Sequence, residues 1–181
     1  AGYTKISESL DQDKVNHLIE IYFSSFLDDI HKNQGDINET AGDGLMIIFQ
    51  NPDPRTHACQ AANTALAIQD KTERINTDLK DTFEPVLVNI GINSGLASVG
   101  SVKFEGITGT RWTFTASGMV TNLAARIADF ATSGSIVVSQ QSAEAYVDRF
   151  ELDDLGERHF KNVNQPIHIF RLTGRKGEIY E

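Results

Sequence analysis

The chain has 181 residues, enough for one domain whose hydrophobic core needs no disulfide. Its composition, 40% hydrophobic and 23% charged, is typical of a globular protein, and the formal net charge of −9 argues against a broad surface for nucleic acid or anionic membrane. No apolar run is long enough to span a membrane. A lone cysteine, Cys59, excludes an internal disulfide, and the five histidines show no zinc-ligand spacing.

The first part of the chain is predicted to hold two helices separated by a β-hairpin. Cap-type residues at 9–13 precede apolar residues at helical spacing up to Ile30, and Gly35 is expected to end this helix. Residues 37–49 read as two strands joined by an Ala-Gly-Asp-Gly turn that holds Asp43 at its tip. After a proline break, a second helix is expected from about Arg55 to Asp78, with Cys59 in its buried stripe.

The rest of the chain is predicted to alternate strands and helices. Residues 86–93 are expected to form a central strand that turns at Ser94-Gly95 and pairs with residues 97–102. The glycine-rich segment 103–111 is expected to be a loop. Further elements are predicted as a strand over 112–116, a helix over 119–130, a strand over 136–139, a short helix over 142–147 and a final strand over 166–172.

This order predicts an α+β sandwich in which helices pack on one face of a mostly antiparallel sheet. A doubly wound parallel sheet is disfavoured, because hairpin turns recur too often along the chain.

Standard phosphate-binding motifs are absent from the sequence. The segment 95–101 has the glycine spacing of a P-loop but lacks the lysine that reaches the phosphates, and no G-x-G-x-x-G opens a helix. Asn122 and Arg126 are four residues apart in the predicted helix 119–130, so they lie on one helical face. An amide beside a guanidinium can hold an oxygen and neutralise developing negative charge, although the same pair also suits a solvated polar face.

Five collinear pieces of the sequence resemble the catalytic domain of class III adenylate and guanylate cyclases, of the bacterial type. They span nearly the whole chain in the order of the family. The pieces are the opening Ala1-Gly2-Tyr3-Thr4, Asp43 in its Gly-Asp-Gly hairpin, Gly91-Ile92-Asn93-Ser94-Gly95, the run 113–126 that ends in Asn122-Leu123-Ala124-Ala125-Arg126, and Phe160-Lys161-Asn162-Val163.

The resemblance implies a ferredoxin-like palm and a single nucleotide cyclase catalytic domain over residues 1–181. It further implies a head-to-tail homodimer with its active sites at the interface and two Mg²⁺ or Mn²⁺ ions in each site. A cytoplasmic location follows, in a signalling protein coupled to a sensor domain or forming the cytosolic part of a larger protein. The family's first metal aspartate would lie about two residues before Ala1, so the domain is expected to be incomplete at its N-terminus.

The resemblance also implies a role for individual residues. Asp43 matches the second metal ligand, and Asn122 matches the residue that orients the ribose. Arg126 matches the residue that stabilises charge at the transferring phosphate, and Lys161 the residue that binds the terminal phosphates. The backbone of Gly2, Tyr3 and Thr4 would cover the triphosphate.

Two residues stand where the family reads the base, and they favour GTP over ATP. Glu39 replaces a lysine that is usual in adenylate cyclases; a carboxylate accepts from both donors on the guanine edge and repels the N1 acceptor of adenine. The hydroxyl of Thr115 suits either base. Glu39 could instead be a solvent-facing strand residue.

Three functional hypotheses remain at this stage. The first is an active cyclase for GTP or, alternatively, ATP, and the second is a catalytically silent cyclase-like domain that binds nucleotide or mediates dimerisation. Joint presence of Asp43, Asn122, Arg126 and Lys161 favours the first, because a silent module has no physical need for all four. An unrelated α+β palm is disfavoured by the collinear match.

Overall fold

A computed structural model of the protein describes residues 11–41, 44–106, 109–146 and 148–177; for residues 12, 39–41, 101–106, 109–115 and 117 it describes the backbone alone. Helices and strands alternate along these ranges. In chain order they are α1 (Gln12–Lys32), β1 (Gly35–Ala41), β2 (Gly44–Phe49), α2 (Pro54–Asp78), β3 (Ile90–Ile92), β4 (Ser98–Gly106), β5 (Gly109–Ser117), α3 (Met119–Phe130), β6 (Ile136–Ser139), α4 (Gln140–Ala143), β7 (Phe150–Arg158) and β8 (Ile167–Arg175).

The two long helices begin at aspartate caps. The Asp11 carboxylate accepts a hydrogen bond from the backbone N–H of Lys14 at 3.0 Å, and the Asp53 carboxylate accepts one from the N–H of Thr56 at 2.9 Å. Pro54 opens α2, where its missing N–H and fixed φ cost nothing. Both helices match their prediction closely, although α1 ends at Lys32 and Gly35 begins the following strand.

A four-stranded sheet, in the order β3-β6-β8-β7, lies at the centre of the fold. β3 and β6 run parallel, and the other neighbours in this sheet run antiparallel. The hairpins β1-β2 and β4-β5 are two antiparallel ribbons. The α+β class is therefore confirmed, with one parallel pair in an otherwise antiparallel arrangement.

Helices cover both faces of this sheet, not one face as predicted. All four residues of β6 are buried, so its side chains alternate between two apolar layers. Ile136 and Val138 pack with the alanine stripe of α2, in which Cys59 is a buried, unpaired core residue as expected. Val137 packs with Ile127 of α3 on the opposite face.

The predicted pairing of the central strand is wrong. Residues 97–102 do not fold back on β3; β4 pairs with β5 from Ser98↔Ser117 to Gly106↔Gly109, and β3 pairs with β6. Segment 103–111, expected to be a loop, belongs to this β4-β5 ribbon except for residues 107–108, which lie outside the described residues. Long strands form here because each residue of one strand has a cross-strand partner in the other.

The central strand is also shorter than the predicted 86–93. Asn76 explains the difference, because its side chain bonds both backbone groups of Val86: Nδ2 donates to the carbonyl at 2.9 Å and Oδ1 accepts from the N–H at 2.8 Å. Val86 is thereby satisfied without a neighbouring strand. The regular strand begins only at Ile90.

Two further differences concern the C-terminal part. The short helix expected at 142–147 is observed as α4, Gln140–Ala143, because the hydroxyl of Ser139 caps it by accepting from the N–H of Ser142 at 3.4 Å; Val147 lies outside the described residues. The edge strand β7 was not predicted, and β8 extends to Arg175. Within the described ranges, no helix combines the length and apolarity that crossing a membrane requires.

Candidate active site

The helix α3 carries two of the predicted site residues, and a glycine sets where it begins. Gly118 links β5 to α3 with φ +129° and ψ −174°, a conformation that L side chains rarely adopt. Its carbonyl accepts hydrogen bonds from the hydroxyl of Thr121 at 2.9 Å and from the backbone N–H of Asn122 at 3.3 Å. Asn122 is thus fixed in the first turn of α3, directly after the strand that carries Thr115.

A second glycine lets α3 lie directly on the central sheet. A Cβ added to Gly91 of β3 would sit 2.2 Å from the backbone nitrogen of Ala128 and 2.4 Å from the carbonyl oxygen of Ala124. Only a residue without a side chain permits so close an approach. The Asn93 side-chain amide also donates to the carbonyl of Val120 at 3.0 Å. These contacts fix both the distance of α3 from the sheet and the rotation of the helix about its own axis.

The side chains of Asn122 and Arg126 are exposed on α3, whereas Ile127 is buried beneath it. The Arg126 guanidinium, 44% exposed, pairs with the Asp129 carboxylate at 3.3 Å, one turn further along the helix. An exposed pair of this spacing is weak, so Arg126 is held but readily displaced by a stronger anion.

Lys161 lies in the turn between β7 and β8, beside the C-terminal end of α3. The backbone N–H of Val163 donates to the Phe160 carbonyl at 3.1 Å, and Asn162 has φ +65°, so Lys161 projects from a tight turn and is exposed. The Phe160 ring meets the Phe130 ring of α3 edge-on, with centroids 6.1 Å apart. The structure thus places three predicted residues, Asn122, Arg126 and Lys161, on α3 and a turn packed against it.

The hairpin β7-β8 that carries this turn contains a bulge at Asp154 and Gly156. The backbone N–H of Gly156 (φ +73°) donates to the Asp154 carboxylate at 2.7 Å, and Nε2 of His168 lies 2.6 Å from the same oxygen. The Gly156 N–H and, secondarily, His168 lower the pKa of Asp154, because both stabilise its charged form.

The two predicted base-reading residues lie on strands that contact each other. Glu39 is on β1 and Thr115 on β5, and these two strands are in contact, although they belong to different ribbons. A bulge between Ile37 and Glu39 shifts the register of β1 just before Glu39. The structure describes only the backbone of Glu39 and Thr115, so their roles in base recognition stay predictions.

The remaining predicted site residues, Asp43, Gly2, Tyr3 and Thr4, lie outside the described residues, and their roles stay predictions. The antiparallel pairing of β1 and β2 up to Ala41↔Gly44 confirms the hairpin, and Asp43 falls between these two strands in the sequence. Within the described part of the chain, no group of three or more His, Cys, Asp or Glu side chains could hold a metal ion.

Sequence reasoning missed the residues that position the site. An isolated glycine inside a β-branched strand, as at Gly91, is a known signal of close backbone approach and could have revealed the seat of α3. The contact of Phe130 with Phe160 left no such signal, because it joins distant parts of the chain. The pairing of Arg126 with Asp129 was readable from their spacing.

Comparison with known proteins identifies the family. The model of the adenylate and guanylate cyclase catalytic domain matches residues 1–174. The chain belongs to this family.

Solved cyclase domains share the fold of this chain. The guanylyl cyclase Cya2 is 28% identical, with a TM-score of 0.87 over 97% of this chain and 88% of that one. The adenylyl cyclase CyaB from P. aeruginosa is 24% identical, with the same TM-score of 0.87 over 99% of this chain and 92% of that one. At 24% identity, the similarity to CyaB establishes the fold alone.

A curated relative is also a cyclase. The terminal-differentiation specific adenylate cyclase of Dictyostelium discoideum is 25% identical over 97% of this chain. The match spans only 8% of that protein's length. The class III cyclase fold expected from the sequence is therefore confirmed.

Proposed function

We propose that this chain is the catalytic domain of a nucleotide cyclase that converts a nucleoside triphosphate to a 3′,5′-cyclic nucleotide and pyrophosphate, with GTP favoured over ATP. The observation that carries the proposal is the family match together with α3, which presents Asn122 and Arg126 to solvent beside the Lys161 turn. These are polar and cationic side chains, as a triphosphate site requires.

In the proposed reaction, the ribose 3′-hydroxyl gives up its proton to solvent and its oxygen attacks the α-phosphorus. The bond from the α-phosphorus to the bridging oxygen breaks, and pyrophosphate leaves with the electron pair of that bond. Asn122 orients the ribose, so that the attacking oxygen and the leaving group are in line. Arg126 stabilises the negative charge on the phosphoryl oxygens as it develops. Lys161 binds the terminal phosphates, and the backbone at Gly2, Tyr3 and Thr4 covers them.

Asp43 is proposed to hold Mg²⁺ or Mn²⁺, two ions per site together with a second carboxylate expected upstream of Ala1. Carboxylate oxygen is the donor type that these hard cations prefer. When bound, such ions lower the pKa of the attacking hydroxyl and neutralise the leaving group.

The preference for GTP depends on Glu39. Its carboxylate accepts hydrogen bonds from N1–H and the exocyclic amine of guanine, and Thr115 donates to O6. Cya2, the solved neighbour at 28% identity, is a guanylyl cyclase, which supports this choice. The Dictyostelium relative is an adenylate cyclase, and it favours ATP as the second candidate substrate.

The active form is proposed to be a head-to-tail homodimer in the cytoplasm, where nucleoside triphosphates are available. A guanylyl cyclase domain of the RhoGC fusion protein from Blastocladiella emersonii, which shares this fold with a TM-score of 0.78, forms a non-canonical dimer, so it supports self-association and not the head-to-tail arrangement. Coupling to a sensor is supported by a light-regulated bacterial adenylyl cyclase, of which this chain covers 49%.

The test is a cyclase assay with GTP and with ATP, in Mg²⁺ and in Mn²⁺. It uses the 181-residue chain and the same chain extended upstream of Ala1 to include the expected aspartate. The extended protein is expected to form cyclic GMP faster than cyclic AMP, and Asp43→Ala is expected to abolish turnover. Faster turnover of ATP would refute the GTP preference, and nucleotide binding without any turnover would identify a silent domain.

A variant tests base recognition directly. Glu39→Lys is expected to lower the GTP to ATP ratio of kcat/KM at least about tenfold, because an ammonium donates to adenine N1 and repels the guanine donors. Glu151→Lys is the matched control: it makes the same charge change on an exposed residue of β7. An unchanged ratio in Glu39→Lys would place Glu39 outside the base pocket.

A further inference from the structure

The turn that carries Lys161 is fixed to α3 by an aromatic contact. Phe160 packs into the apolar layer between α3 and the sheet, and its ring meets Phe130 at an interplanar angle of 82°, the edge-to-face geometry that aromatic pairs prefer. The Arg158 guanidinium lies over the same Phe130 ring, 5.8 Å from its centroid. Phe130, Phe160 and Arg158 together are called the Phe130 clamp.

The clamp connects two groups of predicted site residues. Phe130 lies four residues after Arg126, one helical turn along the same side of α3. Phe160 directly precedes Lys161, and its carbonyl closes the turn by accepting from Val163. A shift of the Phe160 backbone, which the ring contact opposes, would move the Lys161 backbone relative to α3.

We propose that Phe160 is a positioning residue, which sets the distance between Lys161 and Arg126 through its contact with Phe130. The proposal deepens the function proposed above, because it depends on Lys161 binding the terminal phosphates. Without the ring, Lys161 keeps its charge but loses its fixed place beside α3. Bringing the Lys161 ammonium group to the phosphates then costs more conformational entropy, because its side chain is long and flexible.

The experiment compares Phe160→Ala, Lys161→Ala and the double variant in the active cyclase, measuring KM for the nucleotide, kcat and the inhibition constant of inorganic pyrophosphate. Phe160→Ala is expected to raise both KM and the pyrophosphate constant about two- to tenfold, the range that corresponds to one aromatic pair. In the double variant, KM and the pyrophosphate constant are expected to be no higher than in Lys161→Ala, because the two changes remove the same contact with the phosphates. Phe160→Tyr keeps the ring and should restore the wild-type values.

Phe23→Ala is the matched control. Phe23 is a partly buried aromatic residue of α1 that also packs on another ring, with centroids 6.4 Å apart, and it belongs to a different apolar cluster. It should lower stability without changing the pyrophosphate constant. Phe130→Leu, at a residue 38% exposed, provides a second disruption of the clamp if Phe160→Ala does not fold.

Two results would overturn the inference, and they have different meanings. If Lys161→Ala raises both constants but Phe160→Ala does not, or if the two effects are additive, Phe160 does not position Lys161. If Lys161→Ala changes neither constant, the phosphate-binding role fails in the proposed function, and the inference falls with it.

Discussion

At the scale of single residues, Arg126 combines an exposed charge with a weak local partner. Its guanidinium is 44% exposed, and among the described residues it pairs with Asp129, itself 71% exposed. In water such a pair contributes little to stability. Arg126 is therefore available to an incoming phosphate at small cost, which suits the role proposed for it above.

Truncating Arg126 tests its proposed catalytic role. Arg126→Ala is expected to lower kcat about 100-fold or more and to change KM far less, because its charge is needed most in the transition state. Steady-state kinetics with the preferred nucleotide measure both constants. Arg55→Ala is the control, since it removes an exposed arginine paired with Asp148 at 2.8 Å; an equal loss there would point to a general charge effect.

The partner of Arg126 is expected to compete with substrate. Asp129→Asn should lower KM about twofold with kcat unchanged, because the nucleotide no longer displaces an ion pair of that strength. This decrease in KM should become smaller at higher salt concentration, because salt screens the ion pair of Arg126 with Asp129 in the wild type. Asp70→Asn, an exposed aspartate on α2, makes the same charge change elsewhere, and a similar gain there would refute the competition.

At the scale of elements, the contact of α3 with β3 leaves no room for a side chain at Gly91. The α3 backbone lies where any Cβ at Gly91 would be. Since backbone atoms cannot rotate away, a larger residue must push the helix and its site residues off the sheet.

Gly91→Ala is therefore expected to destabilise the protein by about 1–3 kcal/mol and to reduce turnover as well. Urea unfolding monitored by circular dichroism measures the first effect, and the cyclase assay measures the second. Gly100→Ala in β4 is the control, because no atom of the described part of the chain lies within 4 Å of its added Cβ. Wild-type stability in Gly91→Ala would show that α3 does not need this contact.

The bulge in β7 makes the stability of the protein depend on pH in the acidic range. The folded protein holds the pKa of Asp154 below that of the unfolded chain, so the carboxylate contributes stability above the unfolded pKa, near 3.8. This contribution is lost as the pH falls through the lower, folded pKa. The stability difference between wild type and Asp154→Asn should therefore shrink as the pH falls from 5 to 3.

Urea midpoints at several pH values in this range measure the effect. His168→Gln should keep most of the pH dependence, because the backbone N–H of Gly156 contributes more to the lowered pKa than His168 does. If His168→Gln removed the dependence altogether, the order of the two causes would be wrong.

Local patterns predicted the helices and the first hairpin, and non-local pairing explains most of the errors. Ser94-Gly95 resembles a hairpin turn, but the partner of β3 is β6, far along the chain, and no local pattern announces it. β7 escaped prediction because the bulge at Asp154 interrupts its alternation and its many charged residues suit only an exposed edge. Asn122 and Arg126 were placed on one face from spacing alone, whereas the contact of Phe160 with Phe130 required the fold.

At the scale of the whole molecule, a protein of net charge −9 groups three exposed cations around one end of α3. Arg126, Arg158 and Lys161 are all exposed on or beside the C-terminal half of α3. An anionic substrate is repelled by most of the surface and attracted locally, which favours binding in that region.

The proposed dimer predicts that two impaired variants complement each other when they are mixed. If Asp43 and Arg126 serve one site from different subunits, mixing inactive Asp43→Ala with the strongly impaired Arg126→Ala should restore roughly a quarter of wild-type activity. Random pairing makes half of the dimers mixed, and each of these has one intact site out of two. The cyclase assay on co-refolded variants measures this activity, and a mixture no more active than Arg126→Ala alone would contradict a shared site.

The parallel pair of β3 and β6 also has a consequence for folding. The β4-β5 ribbon and α3 lie between the two strands along the chain, so the pair forms only after a long loop has closed. α3 docks on Gly91 of β3 and, through Ile127, on Val137 of β6, and these two strand residues face each other in the pair. The helix that carries Asn122 and Arg126 therefore reaches its final place late. A refolding protein should regain its helical signal before it regains turnover.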